Sequence, residues 1–156
     1  MIQAQISRFS IDQQLLSSII HESREKYPRE TGGILAGYIE NGMIKITFVT
    51  GPGPKAIHAR RSFLRDGEYC QKELDKIFEQ TNGTTDYLGE WHSHPFDIGP
   101  SRRDKDSLRE IATDTKYASS TPLMGLCIKK GTNWLFECYF ITGSDFAKVT
   151  DLREIV

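Results

Sequence analysis

The sequence predicts an α/β fold, a single domain over residues 1–156 in which a mixed β-sheet is flanked by helices. Three observations point there. Apolar residues recur at helical spacing near the start of the chain; two pairs of apolar runs are each joined by a short Gly-containing turn; and no repeat, low-complexity segment or linker divides the 156 residues. A hydrophobic content of 38% and a charged content of 26% suit a globular chain long enough to bury a proper core.

The elements follow in order. A first helix is expected from Ile11 to Lys26 with Ser10 as its cap, because Ile11, Leu15 and Ile19, then Leu16 and Ile20, recur at helical spacing. Pro28 ends it. Gly32–Ile39 and Met43–Val49 read as strands joined at Asn41-Gly42, a strong hairpin signal. Gly32 and Gly33 would let backbone approach a site closely. Gly51-Pro52-Gly53-Pro54 is a loop, with a short strand following to Phe63. Asp66 caps a second helix whose inward stripe is Cys70, Leu74, Ile77 and Phe78, and Asn82-Gly83 ends it. Tyr87–His92 is a strand, and Ser101 opens a helix through Ala112. Leu123–Lys129 and Asn133–Thr142 form a second hairpin around Lys130-Gly131, placed on the far side of the sheet. The tail Phe146–Val156 reads equally as strand or short helix.

The chemistry concentrates in Glu90-Trp91-His92-Ser93-His94-Pro95, followed by Pro100-Ser101-Arg102-Arg103-Asp104. Alternate residues of a strand point to one side, so His92 and His94 can converge while Ser93 turns away. Gly99 and Pro100 suit a turn that brings Asp104 back to them. A catalytic zinc takes three protein ligands and leaves its fourth corner to water, which makes His92, His94 and Asp104 candidate ligands. Spacing alone does not identify a general base: Glu90 shares a strand face with His92, whereas Glu30 is distant. Ser101-x-x-Asp104 also reads as a helix N-cap with an acid at its third position, in which case both residues merely cap.

His92-Ser93-His94-Pro95 with Ser101-x-x-Asp104 resembles the signature of the JAMM (JAB1/MPN/Mov34) metalloproteases, and Glu30-Thr31-Gly32-Gly33-Ile34-Leu35-Ala36-Gly37 is similar to that family's upstream glutamate segment. Nine residues, 95–103, separate His94 from Asp104, one fewer than the family usually has. The resemblance covers nearly the whole chain and implies an MPN/JAB-like fold, Zn2+ on His92, His94 and Asp104, Glu30 as general base and Ser101 as donor to the developing oxyanion. Glu90 would then orient a ligand or contact substrate.

By the same resemblance, the chain is expected to be an isopeptidase or peptidase that cuts after the C-terminal glycine of a ubiquitin-like protein. It would be similar to the bacterial JAB-domain deconjugases encoded beside E1-like and E2-like partners in anti-phage systems. The modifier's tail would lie along a strand edge, with Phe96, Ile98 and the Gly51 to Pro54 loop at the rim. Two alternatives stay open: a zinc hydrolase of a small amide or carrier-protein precursor, and a non-catalytic scaffold.

Composition narrows the partners. A formal charge of -1 argues against nucleic acid, and Arg60, Arg61 and Arg65 read as solvated side chains. No stretch reaches the length of a membrane span and no signal peptide is visible, so a cytoplasmic location is expected. Cys70, Cys127 and Cys138 contain no Cys-x-x-Cys pair and are expected as buried thiols, with Cys127 and Cys138 near each other across the second hairpin but not bonded.

Overall fold

The computed structural model describes residues 8–114, 122–142 and 145–152. The chain enters the sheet before its first helix. Strand β1 (Arg8–Ile11) precedes α1 (Gln13–Lys26), so Ser10 and Ile11, expected as the cap and first turn of the helix, are strand residues. Asp12 caps instead, its side chain accepting from the Gln14 amide at 2.8 Å. The ladder partner decides this: Phe9, Ser10 and Ile11 pair with Ile44, Lys45 and Ile46, which no local periodicity reveals.

Strands β2 (Gly32–Glu40) and β3 (Met43–Val49) form the expected hairpin. Both turn residues take positive φ, 52° at Asn41 and 76° at Gly42, as the twist of a tight hairpin requires. The segment after the Gly-Pro loop makes a small two-stranded sheet, β4 (Ile57–His58) and β5 (Phe63–Leu64). Helix α2 (Gly67–Gln80) starts at the expected cap, Asp66, and buries Cys70 and Leu74. Phe78, expected inside, is 44% exposed and instead lies over the turn at Gly83.

Strand β6 (Asp86–His94) runs two residues beyond its expected end and so carries both histidines. Helix α3 (Arg102–Thr113) follows, then β7 (Leu123–Lys130), β8 (Asn133–Thr142) and β9 (Asp145–Asp151). The ambiguous tail is thus a strand as far as Asp151, while residues 153–156 lie outside the described residues.

Seven strands close on themselves in the order β1-β3-β2-β6-β7-β8-β9, and a parallel pairing of β1 with β9 seals the ring. The β7–β8 hairpin is not remote from the motif strand, because β7 pairs directly and in parallel with β6, with His92 opposite Leu126 and His94 opposite Ile128. Phe9, Ile44, Trp91, Phe136 and Phe140 form the main core with Leu16 and Ile19 of α1. A second cluster sets Leu108 of α3 against Met124, Leu126 and Tyr139, and a third sets Cys70 and Leu74 of α2 against Ile34 and Tyr87. Two helices are thereby held on the sheet face that carries the motif. Among the described residues, no helix is long and apolar enough to cross a membrane.

Candidate metal centre

A bulge in β6 sets which side chains share this face. Pairing with β2 passes from Leu35 opposite Gly89 to Ala36 opposite Tyr87, so Leu88 is the extra residue. Tyr87 therefore shares a face with Glu90, and its hydroxyl donates to Glu90 Oε2 at 3.2 Å. His92 and His94 continue that face, while Trp91 and Ser93 point the other way. Trp91 is buried with its indole N–H donating to the Thr50 carbonyl at 3.0 Å.

The three expected donors come together. His92 Nε2 lies 3.1 Å from His94 Nε2 and 2.9 Å from Asp104 Oδ1, and His94 Nε2 lies 3.2 Å from Asp104 Oδ2. Donors held at roughly 2.0–2.1 Å by one tetrahedral ion are about 3.3 Å apart, so this triangle fits a metal with little rearrangement. The shorter His94–Asp104 loop costs the cluster nothing. His94 Nδ1 faces the Ile98 carbonyl at 3.0 Å; a carbonyl only accepts, so Nδ1 carries a proton, and in the neutral imidazole Nε2 is left to offer its lone pair to a metal.

Asp104 is held from two sides. Its Oδ2 accepts from the Ser101 amide at 2.8 Å, while its own amide donates to Ser101 Oγ at 3.1 Å, a reciprocal capping box on α3. The capping reading and the ligand reading are compatible, because capping engages Oδ2 and leaves Oδ1 toward His92. Accepting from Asp104 also leaves the Ser101 hydroxyl proton free to donate. Burial would raise the Asp104 pKa, but hydrogen bonds donated by the protonated imidazoles of His92 and His94 outweigh it and hold the carboxyl well below the usual range. Burial lowers His94, and the bonds to Asp104 and the Ile98 carbonyl more than offset it, leaving the imidazole raised.

Glu30 reaches the same place from the other end of the sequence. Its carboxylate Oε1 is 4.0 Å from His94 Nε2, too far for a hydrogen bond and close enough for one bridging water. The residue is only 8% exposed, and burial raises its pKa against the lowering influence of the two imidazoles. Its backbone is pinned by the small sheet: the Glu30 amide donates to the Ala59 carbonyl at 2.7 Å, and His58 Nδ1 lies 2.8 Å from the Glu30 carbonyl. Gly32 permits the close packing expected of it, since a Cβ there would stand 2.2 Å from the Trp91 carbonyl oxygen.

Glu90 is placed differently. Arg65 Nε donates to its Oε1 at 2.5 Å and Tyr87 to its Oε2, so both carboxylate oxygens are engaged away from the donor triangle. Arg65 and Glu90 line a groove of about 1090 Å³ that opens over His92, His94, Asp104 and Glu30. Phe96 and Ile98, 42% and 55% exposed, lie on its rim as expected. The Gly51 to Pro54 loop does not: it packs on the start of α2, with the Pro52 carbonyl accepting from the Asp66 amide. Arg60, Arg61 and Arg65, expected as merely solvated, all line the groove. His58 and the Arg65–Glu90 pair were missed, having no motif; only the closeness of the β4–β5 turn to Glu30 reveals them.

Comparison with known proteins places the chain in a family. Residues 12–149 match the family model described as prokaryotic homologs of the JAB domain. A probable metalloprotease of Sinorhizobium fredii is 30% identical over 128 residues, 80% of this chain and 78% of that protein. A CD-NTase/cGAS isopeptidase of Vibrio cholerae is 36% identical over 107 residues, 68% of this chain and 65% of that one. One of Escherichia coli is 38% identical over 69 residues, so that only 44% of its length is spanned. The solution structure of a Desulfitobacterium hafniense protein superposes with a TM-score of 0.71 over 92% of this chain and 91% of that one, at 16% identity, and shows the shared fold. This chain belongs to the family of prokaryotic homologs of the JAB domain.

Proposed function

We propose that this protein is a zinc-dependent isopeptidase or peptidase that removes a ubiquitin-like protein from its target or trims that protein's C-terminus. The observation that carries the reading is one arrangement: three donor atoms of His92, His94 and Asp104 within 4.8 Å of one another, with a buried, non-coordinating carboxylate, Glu30, 4.0 Å from His94 Nε2. In this reading His92, His94 and Asp104 hold Zn2+, for which two imidazoles and a carboxylate are a suitable donor set. When bound, the ion would supply Lewis acidity, lowering the pKa of water and polarising the scissile carbonyl.

The chain's own residues do the rest. Glu30 takes a proton from the attacking water and returns it to the leaving amine. Burial favours this role, because a carboxyl raised toward neutrality can both accept and give up a proton. The Ser101 hydroxyl donates to the oxyanion that develops on the carbonyl, its position fixed by the helix cap it also makes. Ser93 takes no part in the chemistry but holds the backbone beside Glu30.

Relatives named as CD-NTase/cGAS isopeptidases support a conjugated protein as substrate, with a CD-NTase as one candidate target; E1-like and E2-like partners are what the JAMM resemblance of the motif implies. Elemental analysis of the wild type and of Asp104→Ala, purified without chelator or added metal, tests the centre. About one zinc per chain in the wild type and much less in the variant is expected. Cleavage of modifier fusions in preference to small amides tests the substrate class. A folded wild type that neither contains nor takes up zinc would sink the proposal.

A further inference from the structure

The charge on the groove walls is not that of the whole chain. The protein carries a formal charge of -1, yet four arginines and three carboxylates line this one groove. Their pairing matters more than their number. Arg65 is engaged by Glu90, Asp104 by the two imidazoles and Glu30 by burial beside them, whereas among the described residues Arg60, Arg61 and Arg103 form no ion pair with any carboxylate. The surplus charge in the groove is therefore positive and belongs to those three side chains.

These arginines come from two separate elements that line the groove. Arg60 and Arg61 are the middle residues of the turn between β4 and β5, closed by the Ala59 amide donating to the Ser62 carbonyl at 3.0 Å. That turn is tied to the site, since the Ala59 carbonyl accepts from the Glu30 amide. Arg103 lies in the first turn of α3, next to Asp104, and is near enough to Glu30 to lower its pKa. All three are exposed side chains anchored on rigid backbone, so the guanidinium forks are presented and not spent on the protein itself.

Resting on the isopeptidase reading above, we propose that this groove selects an extended peptide segment bearing acidic side chains near the scissile bond, with Arg60 and Arg61 of the β4–β5 turn and Arg103 of α3 taking the carboxylates. Phe63, Leu64, Phe96 and Ile98 line the same groove and favour apolar or small residues beside the acidic ones. Selection by charge would discriminate between conjugates that share the same C-terminal glycine.

Binding decides this without turnover. Two fluorescein-labelled peptides of about ten residues, long enough for the groove, share a central Gly-Gly and differ only in Glu or Gln at the flanking positions. Their anisotropy is measured against zinc-loaded Glu30→Gln protein at physiological salt. The acidic peptide is expected to bind about tenfold more tightly, the scale of one or two charge-assisted hydrogen bonds. That preference should fall to within about threefold in Arg60→Gln/Arg61→Gln and in Arg103→Gln, with circular dichroism unchanged. Equal binding of the two peptides, or a preference that survives both arginine variants, would overturn the proposal. So would displacement of the acidic peptide by an equal concentration of oligodeoxythymidylate, which would point to phosphate recognition. Hydrolysis is scored separately on the wild type, so a protein that cuts nothing overturns the isopeptidase function while the binding contrast is still read on its own.

Discussion

Ser93 and Thr31 grip each other in both directions: the Thr31 amide donates to Ser93 Oγ at 2.9 Å, and the Ser93 amide donates to the Thr31 carbonyl at 2.8 Å. Ser93 stands between the two histidines and Thr31 follows Glu30, so this pair ties the candidate base to the donor strand across 62 positions of sequence. Both residues are fully buried. Ser93→Ala leaves the Thr31 amide without its partner and should cost about 1–3 kcal/mol of stability in urea unfolding. All three donors remain, so zinc content should hold while hydrolysis falls. A variant as stable and active as wild type would show that the grip is incidental.

Ser101 carries two proposed roles that one substitution can separate. Ser101→Ala removes the cap of α3 and should cost about 1 kcal/mol. Ser101→Asp restores an effective cap but carries no donor hydrogen. Thermal unfolding should recover in the Asp variant, and kcat should not. Recovery of both would leave Ser101 a cap alone.

The two carboxylates near the strand differ in what engages them. Glu30→Ala should keep about one zinc per chain and lose hydrolysis by roughly 10²–10⁴-fold, the usual worth of a positioned proton-transfer group. Glu90→Ala strips Arg65 of its 2.5 Å partner and removes the acceptor of Tyr87, so KM and stability should move more than kcat. Full activity in the Glu30 variant together with loss in the Glu90 variant would reverse the assignment.

The thiols are inaccessible by construction. Cys70, Cys127 and Cys138 are buried thiols outside any disulfide, and burial pushes the Cys127 thiol up to about 11. Cys127 and Cys138 are not even direct partners in the hairpin, where Cys127 faces Phe136 and Cys138 faces Gly125. Native protein should resist iodoacetamide at mildly alkaline pH, and denatured protein should take up label on all three cysteines. Mass spectrometry reads the difference, and rapid labelling of Cys127 in the native state would contradict the burial.

Some elements were legible because their signals are local. Asn41-Gly42 declares a tight turn, Asp66 and Ser101 declare helix starts, and His92-x-His94 places two imidazoles on one side of any extended strand. β1 and β9 were not legible as a pair, because a strand of four residues gains its stability from Ile44 and Ile46 and from the closing contact of Phe9 with Asp151, all remote in sequence. Phe78 fits the helical stripe and still points to solvent, since which face is covered depends on where the sheet ends.

By itself the sequence picked out His92, His94 and Asp104 as candidate donors through residue chemistry and short spacing, and pointed to Glu30 only through its resemblance to the JAMM glutamate segment. Only the tertiary structure decided which carboxylate stands beside the donors and which is engaged elsewhere. Glu90 is two residues from His92 but is drawn to Arg65 and Tyr87, while Glu30 is brought in by the Ser93–Thr31 grip and the Ala59 contact. The same holds for the arginines, whose place on the groove walls is set by a turn and a helix that meet only in the folded chain. Proximity in space between residues far apart in sequence is settled by long-range pairing and packing, which local pattern does not encode.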